Sequence, residues 1–230
     1  MQPNDYRNPS VLTGGARQQS LLATHTVLRN TYLLLSLTLL FSAAIATFAM
    51  VTNAPYPGII LTLVGFYGLM FLTYKLRNSS GGLLAVFALT GFMGYTLGPI
   101  LNMATHNFAN GSEIIATALG GTGLIFFGLS AYVLTTRKDF SFMGGFLTIG
   151  TIVAIVAMIA LFFFQVPALS LAFSALIVLL SSGWILWQTS EIINNGETNY
   201  IMATVGLYVQ IYNLFLSLLQ LLLAFGGNRE

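Results

Sequence analysis

Three side-chain amides lie inside long apolar stretches of the sequence, where polar groups are rare. Gln188 ends a tryptophan-rich apolar run, and Gln210 and Asn213 lie three residues apart, so they share one helix face. An amide without a hydrogen-bond partner in hydrocarbon costs roughly a few kcal/mol, so these residues should face the interior of a helix bundle. Two interpretations stay open. The amides tie helices together, or they form a polar pathway or binding site with Tyr208 and Tyr212.

The sequence offers little else for catalysis or metal binding. It has no cysteine, and its two histidines, His25 and His106, fall in segments that we predict to lie on opposite sides of a membrane. It contains no HExxH zinc motif, no GxSxG nucleophile motif and no Walker-type phosphate-binding loop. The predicted helix cores also lack an ionisable partner for an intramembrane protease. We therefore predict no enzyme activity, no catalytic or metal-ligating residue and no cofactor.

The composition is that of a membrane protein. Of the 230 residues, 56% are hydrophobic and only 6% are charged, against about 25% charged residues in soluble domains. So few charges cannot cover the surface of a soluble protein of this size. The net charge of +2 is too small, and its charges too scattered, for a nucleic-acid-binding surface. The predicted environment is the lipid bilayer, with no nucleic-acid partner.

Seven transmembrane helices follow from the stretches free of Asp, Glu, Lys and Arg, since a spanning helix needs about 20 apolar residues. Five such stretches are long enough, and two of them divide at proline-containing turns, Asn53–Pro57 and Gln165–Pro167. The predicted fold is all-α, with a flexible tail over 1–29 and a bundle over 30–228. The predicted spans are 30–52, 58–75, 83–103, 114–135, 142–165, 168–189 and 200–225.

The basic residues predict the orientation, because Lys and Arg concentrate in cytoplasmic segments. With seven helices, the N-terminal tail and the even-numbered loops lie on one side. That side collects seven of the eight basic residues, and the other side has only Arg229. We therefore expect a cytoplasmic N-terminus and a periplasmic C-terminus.

The predicted cytoplasmic loop between helices 6 and 7 carries two acidic residues, Glu191 and Glu197. Asn195-Gly196 is typical of a turn, and Thr198 or Asn199 can cap the last helix. A structural role accounts for the loop, although it is also a candidate contact surface for a partner.

Several motifs resemble those of one family. They are the run Leu21–Tyr32, the run Ser130–Asp139 after helix 4, and Gly196–Ile201, followed by Leu207-Tyr208-Val209 and Tyr212-Asn213. They occur in the right order from about residue 20 to the C-terminus. On this basis the chain resembles the Bax inhibitor/YccA family, whose seven-helix architecture agrees with the count of spans.

The resemblance implies a bacterial inner-membrane protein that binds FtsH, a membrane-anchored ATP-dependent protease, alone or with the membrane regulators associated with it. Such proteins modulate FtsH and are themselves poor substrates. In the family, the protease grips the cytoplasmic tail. This corresponds here to residues 1–29, with Arg7, Arg17, His25 and Arg29 as the candidate handle residues.

The resemblance also implies a second activity, a pH-sensitive calcium leak. In those family members, an aspartate pair on helices 6 and 7 senses pH, and its positions correspond to Gln188 and Gln210. Two carboxamides cannot titrate, and they offer calcium carbonyl oxygens without a compensating charge. Calcium therefore remains a candidate partner, and we expect any leak to be weak and nearly independent of pH.

Overall fold

A computed structural model describes residues 9–164, 166–194 and 196–227, with side-chain surroundings given from His25 onward except at Phe162. The described chain forms seven helices and no β-strand, and each helix contains a stretch long and apolar enough to cross a membrane. The all-α, seven-span prediction is confirmed. The helices are α1 Pro9–Val51, α2 Ile59–Leu76, α3 Gly81–Asn107, α4 Gly111–Thr136, α5 Met143–Phe163, α6 Pro167–Asn194 and α7 Tyr200–Gly226.

Helix α1 begins earlier than the sequence suggested. Its backbone is helical from Pro9, whereas a flexible tail was expected up to residue 29. Residues 16–29 contain neither proline nor glycine and include Ala, Leu, Arg and Gln, which have high helix propensity. The part of α1 that is apolar enough to span the membrane begins at His25. The polar N-terminal segment therefore leads into the first span as a continuous helix.

The helix ends follow local backbone chemistry. Asn53 and Gly58 take positive φ angles of 51° and 83° around the two prolines that separate α1 from α2. Arg137, also at φ 51°, closes α4 in a left-handed conformation, with its N–H donated to the carbonyl of Val133 at 2.8 Å. Asn199 caps α7 by accepting from the N–H of Met202 at 3.0 Å, so one of the two predicted capping residues is confirmed.

Helix α7 lies at the centre of the bundle. It packs against α1, α3, α4 and α6, whereas α2 packs mainly on α3 and α5 mainly on α6. Most of the large fully buried side chains, including Leu207, Tyr208 and Leu214, belong to α7 or face it. The outer helices expose apolar side chains such as Ile60 on α2 and Phe146 on α5. These exposed faces suit contact with lipid.

The close pairing of α1 and α3 depends on glycine. Gly94 and Gly98 lie one turn apart on α3, and a Cβ at either position would collide with α1, at Ser42 and at Ala49 respectively. Small residues of this kind let membrane helices approach closely. The Gly94–Gly98 face is therefore covered by the chain's own α1. Pro99 lies inside α3 and does not end it.

The ends of the helices on the side of the N-terminal segment are joined by hydrogen bonds. The Asn199 amide donates to the carbonyl of Arg77 at 3.2 Å and to Asn78 Oδ1 at 2.8 Å. The carbonyl of Lys138 accepts from Ser190 Oγ at 3.3 Å and from Asn194 Nδ2 at 3.1 Å. These bonds join the α2–α3 loop to the start of α7, and the α4–α5 loop to the end of α6.

Candidate functional site

Gln188 contacts α7 directly. Its amide lies against Gly206, where the position of a Cβ would be 2.6 Å from Gln188 Nε2. Gln210 lies one turn beyond Gly206 on α7 and Asn213 a further turn on, so all three share the face that packs on α6. The structure therefore places the three predicted amides along one interface. Gln188 lies opposite Gly206, and Gln210 and Asn213 continue the row along α7.

Polar residues continue this row along the α6–α7 interface. At its other end, Ser174 Oγ donates to Gln220 Oε1 at 2.8 Å. A step of fourteen residues back along α6, from Gln188 to Ser174, matches fourteen residues forward along α7, from Gly206 to Gln220. The midpoint of this antiparallel register sets Ser181 opposite Asn213. We call this row the polar seam, formed by Ser174, Ser181 and Gln188 on α6 and by Gln210, Asn213, Ser217 and Gln220 on α7.

Four members of the polar seam were not singled out from the sequence: Ser174, Ser181, Ser217 and Gln220. The signal that could have found them is their spacing. Residues 174, 181 and 188 repeat every seven positions, as do 206, 213 and 220, and such a repeat keeps residues on one face of packed helices. Serine is common in membrane helices, so its spacing rather than its presence carries the information.

The amides of the polar seam are largely without partners within the described part of the chain. Gln188 Oε1 is buried and accepts no hydrogen bond, and the side chains of Gln210 and Asn213 make none with another described residue. Among the amides of the polar seam, Gln220 alone is bonded to another described residue across the interface. Gln210 and Asn213 are only half-buried, whereas buried polar atoms such as Gln188 Oε1 are normally satisfied, so Gln188 suits a site that accommodates water or a solute better than an interhelical tie.

Further unpartnered oxygens lie at the level of Gln188. They belong to Thr31, Tyr32, Ser130 and Thr189, and each is buried. Two contacts show that these residues lie at about the same height along the bundle as Gln188. Thr204, two residues before Gly206, donates to the carbonyl of Thr31 at 3.3 Å, and the ring of Tyr32 lies 6.1 Å from that of Phe126, one turn from Ser130. The end of the bundle nearest the N-terminal segment thus contains several buried oxygens that need a polar partner.

The two tyrosines of α7 lie on a different face from the polar seam. The Tyr208 hydroxyl lies 2.5 Å from Ser42 Oγ and donates to the carbonyl of Thr90 at 3.2 Å, and the Tyr212 hydroxyl lies 2.8 Å from Thr96 Oγ1. Tyr208 therefore bonds to α1 and α3, and Tyr212 bonds to α3. Gln210 lies halfway between them in sequence and so points to the opposite side of the helix.

Replacing Tyr208 by Phe should destabilise the bundle by about 1–2 kcal/mol, because Ser42 and the Thr90 carbonyl lose a buried partner. Unfolding of the purified variant in detergent measures the loss. Tyr67→Phe is the matched control, since Tyr67 is exposed on α2. Equal stability of the two variants would contradict a structural role for the Tyr208 hydroxyl.

Gly206→Leu should destabilise the protein by about 1–3 kcal/mol through overpacking against Gln188. The loss should shrink in a Gln188→Ala background, where the colliding amide is gone. Gly128→Leu serves as the control, because nothing lies within 4 Å of a Cβ at that position of α4. If Gln188→Ala gave no relief, the two residues would not be in energetic contact.

The remaining predicted residues lie at the same end of the bundle or outside the described chain. Arg7 lies outside the described residues, and Arg17 lies on α1 where only the backbone is described. His25 and Arg29 are exposed on α1, and together with Tyr32 and Leu134 they line a cavity of about 580 Å³.

Glu191 does not lie in a loop, as the sequence suggested, but in the last turn of α6. The helix continues because Ile192 is buried against the core and Ser190 bonds to the neighbouring loop. Glu197 is exposed in the connection to α7, and its carboxylate accepts from the N–H of Asn199 at 2.8 Å. Within the ranges that the structure describes, no three His, Cys, Asp or Glu side chains group as metal ligands.

Comparison with known proteins gives a family and close relatives. The family model described as inhibitor of apoptosis-promoting Bax1 matches residues 24–228. A protein of Escherichia coli K12 named modulator of FtsH protease YccA is 59% identical over 92% of this chain and 96% of its own length. A second Escherichia coli relative of the same identity and coverage is named an inner membrane protein.

Two further relatives carry no functional name. An uncharacterized protein of Pseudomonas aeruginosa is 59% identical over 88% of this chain and 90% of its own length. An uncharacterized membrane protein of Vibrio cholerae is 44% identical over 96% of this chain and 99% of its own length. These relatives are named as a modulator or as membrane or uncharacterized proteins, and none of them is named as an enzyme. The chain therefore belongs to the Bax inhibitor family, as a multi-pass protein of the inner membrane.

Proposed function

We propose that this chain binds the FtsH protease and modulates it, while being a slow substrate itself. The observation that carries the proposal is the 59% identity, over 92% of the chain, to the Escherichia coli protein named for that role. The match extends along nearly the whole of both proteins and is not confined to one motif.

The N-terminal segment is the proposed handle. Residues 1–24 precede the first apolar span, and they contain Arg7 and Arg17 among polar residues. The distribution of basic residues supports a cytoplasmic location for this segment. An ATP-dependent protease needs a terminus that it can engage without first removing a span from the bilayer. The candidate residues Arg7, Arg17, His25 and Arg29 lie in or next to that terminus.

The packing of the bundle accounts for slow degradation in this proposal. A pull on the N-terminus acts on α1, which is closely packed on α3 through Gly94 and Gly98 and bonded to α7 through Ser42 and Tyr208. Extraction must break these contacts before any later helix can follow. While FtsH is engaged in this way, it degrades other clients more slowly. The exposed Glu197, with Glu191 close by, is a candidate second contact at the same end of the bundle.

Affinity co-purification from membranes tests the binding. A tag on the C-terminus leaves the proposed handle free, and FtsH should be retained by the full chain. A variant lacking residues 1–20 should retain less FtsH, and Glu191→Gln with Glu197→Gln measures the contribution of the second contact. Absence of FtsH from the full-length sample would contradict the proposal, whether or not its membrane regulators were present.

A second candidate function is a cation leak along the polar seam. The observation that favours it is the buried, unbonded Gln188 Oε1 at the head of a row that the half-buried Gln210 and Asn213 continue. Because these groups are neutral, calcium would enter with no compensating charge, and we expect a weak leak that changes little between about pH 6 and pH 8. Calcium flux into dye-loaded liposomes measures it, with protein-free liposomes as the baseline. A steep pH dependence of the unmodified protein would contradict this expectation.

A further inference from the structure

A second cavity lies on the other side of α7 from the polar seam. It has a volume of about 350 Å³ and is enclosed by α1, α3, α4 and α7, in the half of the bundle away from the N-terminal segment. It exists because α1 and α4 both pack along α7 yet make no extended contact with each other within the described ranges. We call it the outer cavity. Its volume is within the about 300–1,000 Å³ typical of small-molecule sites.

The outer cavity is apolar inside and its rim faces the bilayer. Its wall includes the buried side chains of Ala46, Leu97 and Phe215. Its rim includes Ala43 and Leu119, which are exposed, and Leu119 retains 56% of its accessible surface although it lies within the membrane span of α4. An apolar molecule can therefore enter from the hydrocarbon region without crossing water.

The hydroxyl groups of the cavity wall already have partners inside the described part of the protein, except that of Ser112, which is exposed. Tyr208 bonds to Ser42 and Tyr212 to Thr96, and Thr122 Oγ1 donates to the carbonyl of Ala118 at 2.7 Å. The buried oxygens that lack partners in the described chain do not line this cavity. Cavities of this kind stay free of water, because a water molecule needs two to four polar partners. An empty space would also forgo the dispersion contacts that hydrocarbon supplies.

We propose that the outer cavity holds one acyl chain of a bilayer phospholipid. The cavity next to the N-terminal segment makes the contrast clear. It is lined by Arg29, His25 and the unpartnered hydroxyl of Tyr32, which do not suit hydrocarbon. The acyl chain enters between α1 and α4 past Ala43 and Leu119, and its end packs against Ala46 and Phe215. One phospholipid thereby fills the gap that the helices leave.

Photolabelling in liposomes tests this proposal. The probe is a phosphatidylcholine with a diazirine near the end of one acyl chain, and labelled positions are mapped by peptide mass spectrometry. The unmodified protein should be labelled most strongly on residues 39–50 and 208–215. Ala46→Phe, which fills the cavity, and Ala43→Phe, which blocks its rim, should both reduce this labelling to the level of the exposed faces of α2 and α5.

Ala44→Phe is the matched control, because Ala44 is exposed on α1 and does not line the cavity. It should leave the labelling unchanged. Since Ala43 is exposed, its replacement should fold even if Ala46→Phe does not, and helical content is checked for each variant. Even labelling of all exposed apolar faces would overturn the proposal. So would labelling that Ala43→Phe leaves intact, or labelling by a diazirine fatty acid but not by the phospholipid.

Discussion

Deleting residues 1–20 should abolish degradation of this protein by FtsH. The deletion removes most of the polar chain that precedes the first span at His25, so the protease would have to begin on a helix that is already in the bilayer. Each span buries about 20 apolar residues in hydrocarbon, and starting there is far costlier than pulling on a polar terminus. The measurement is the rate of loss of the purified protein in proteoliposomes with FtsH and ATP.

Two controls separate the handle from general damage. Deletion of residues 228–230 removes a similar kind of polar end from the other terminus and should leave the rate unchanged. Replacing residues 1–20 by a glycine- and serine-rich segment of equal length tests whether sequence matters beyond length. If the shortened protein, shown to be helical by circular dichroism, were degraded at the normal rate, the handle would lie elsewhere.

Replacing both Gln188 and Gln210 by Asp should convert a weak, pH-insensitive calcium leak into a pH-dependent one. Carboxylates bind calcium with compensating charge, which the amides lack, and they lose that charge on protonation. The flux of the double variant should therefore rise from about pH 6 to about pH 8, where more of the pair is ionised. Dye-loaded liposomes report the flux for both proteins under the same conditions.

Gln220→Asp is the control for this comparison. It adds a carboxylate at the opposite end of the polar seam, at the position that Ser174 contacts. Because Gln220 is exposed, a carboxylate there is ionised throughout about pH 6 to pH 8, so the leak of this variant should change little with pH. A double variant with a leak as flat in pH as the original would contradict the assignment of Gln188 and Gln210 to an ion pathway.

The seven spans could be predicted from sequence because the physical constraint is simple. A bilayer tolerates few charges over about 20 residues, and proline-containing turns divide the long stretches. The end of α6 could not be predicted in this way. Ser190, Glu191 and Asn194 look like a loop in isolation, but burial of Ile192 and hydrogen bonds to the loop at Lys138 keep them helical.

The candidate site was predicted in part. Amides within an apolar run are conspicuous, so Gln188, Gln210 and Asn213 could be identified from residue type alone. Ser174 and Ser181 could not, because a serine in a helix often bonds to its own backbone and needs no interhelical partner. Their place in the polar seam depends on the antiparallel register of α6 and α7. That register is set by packing and cannot be read from either helix alone.

The same limit applies to the tyrosines. Periodicity correctly separated Tyr208 and Tyr212 from Gln210 and Asn213, but it could not tell which neighbouring helix each face meets. The structure assigns the tyrosine face to α1 and α3, where the hydroxyls satisfy Ser42 and Thr96. The face of α7 that carries the amides packs on α6. The order of the helices around the bundle is a tertiary property. The structure was therefore needed to show which neighbouring helix each face of α7 meets.

The most direct test of the proposed function is the effect of this protein on another substrate of FtsH. FtsH and a membrane client would be reconstituted with increasing amounts of the full chain, and the rate of client degradation would be followed. We predict that the rate falls as the full chain is added, and that it falls much less when the chain lacks residues 1–20. A client degradation rate that stays constant while FtsH is saturated with the folded full-length protein would contradict modulation.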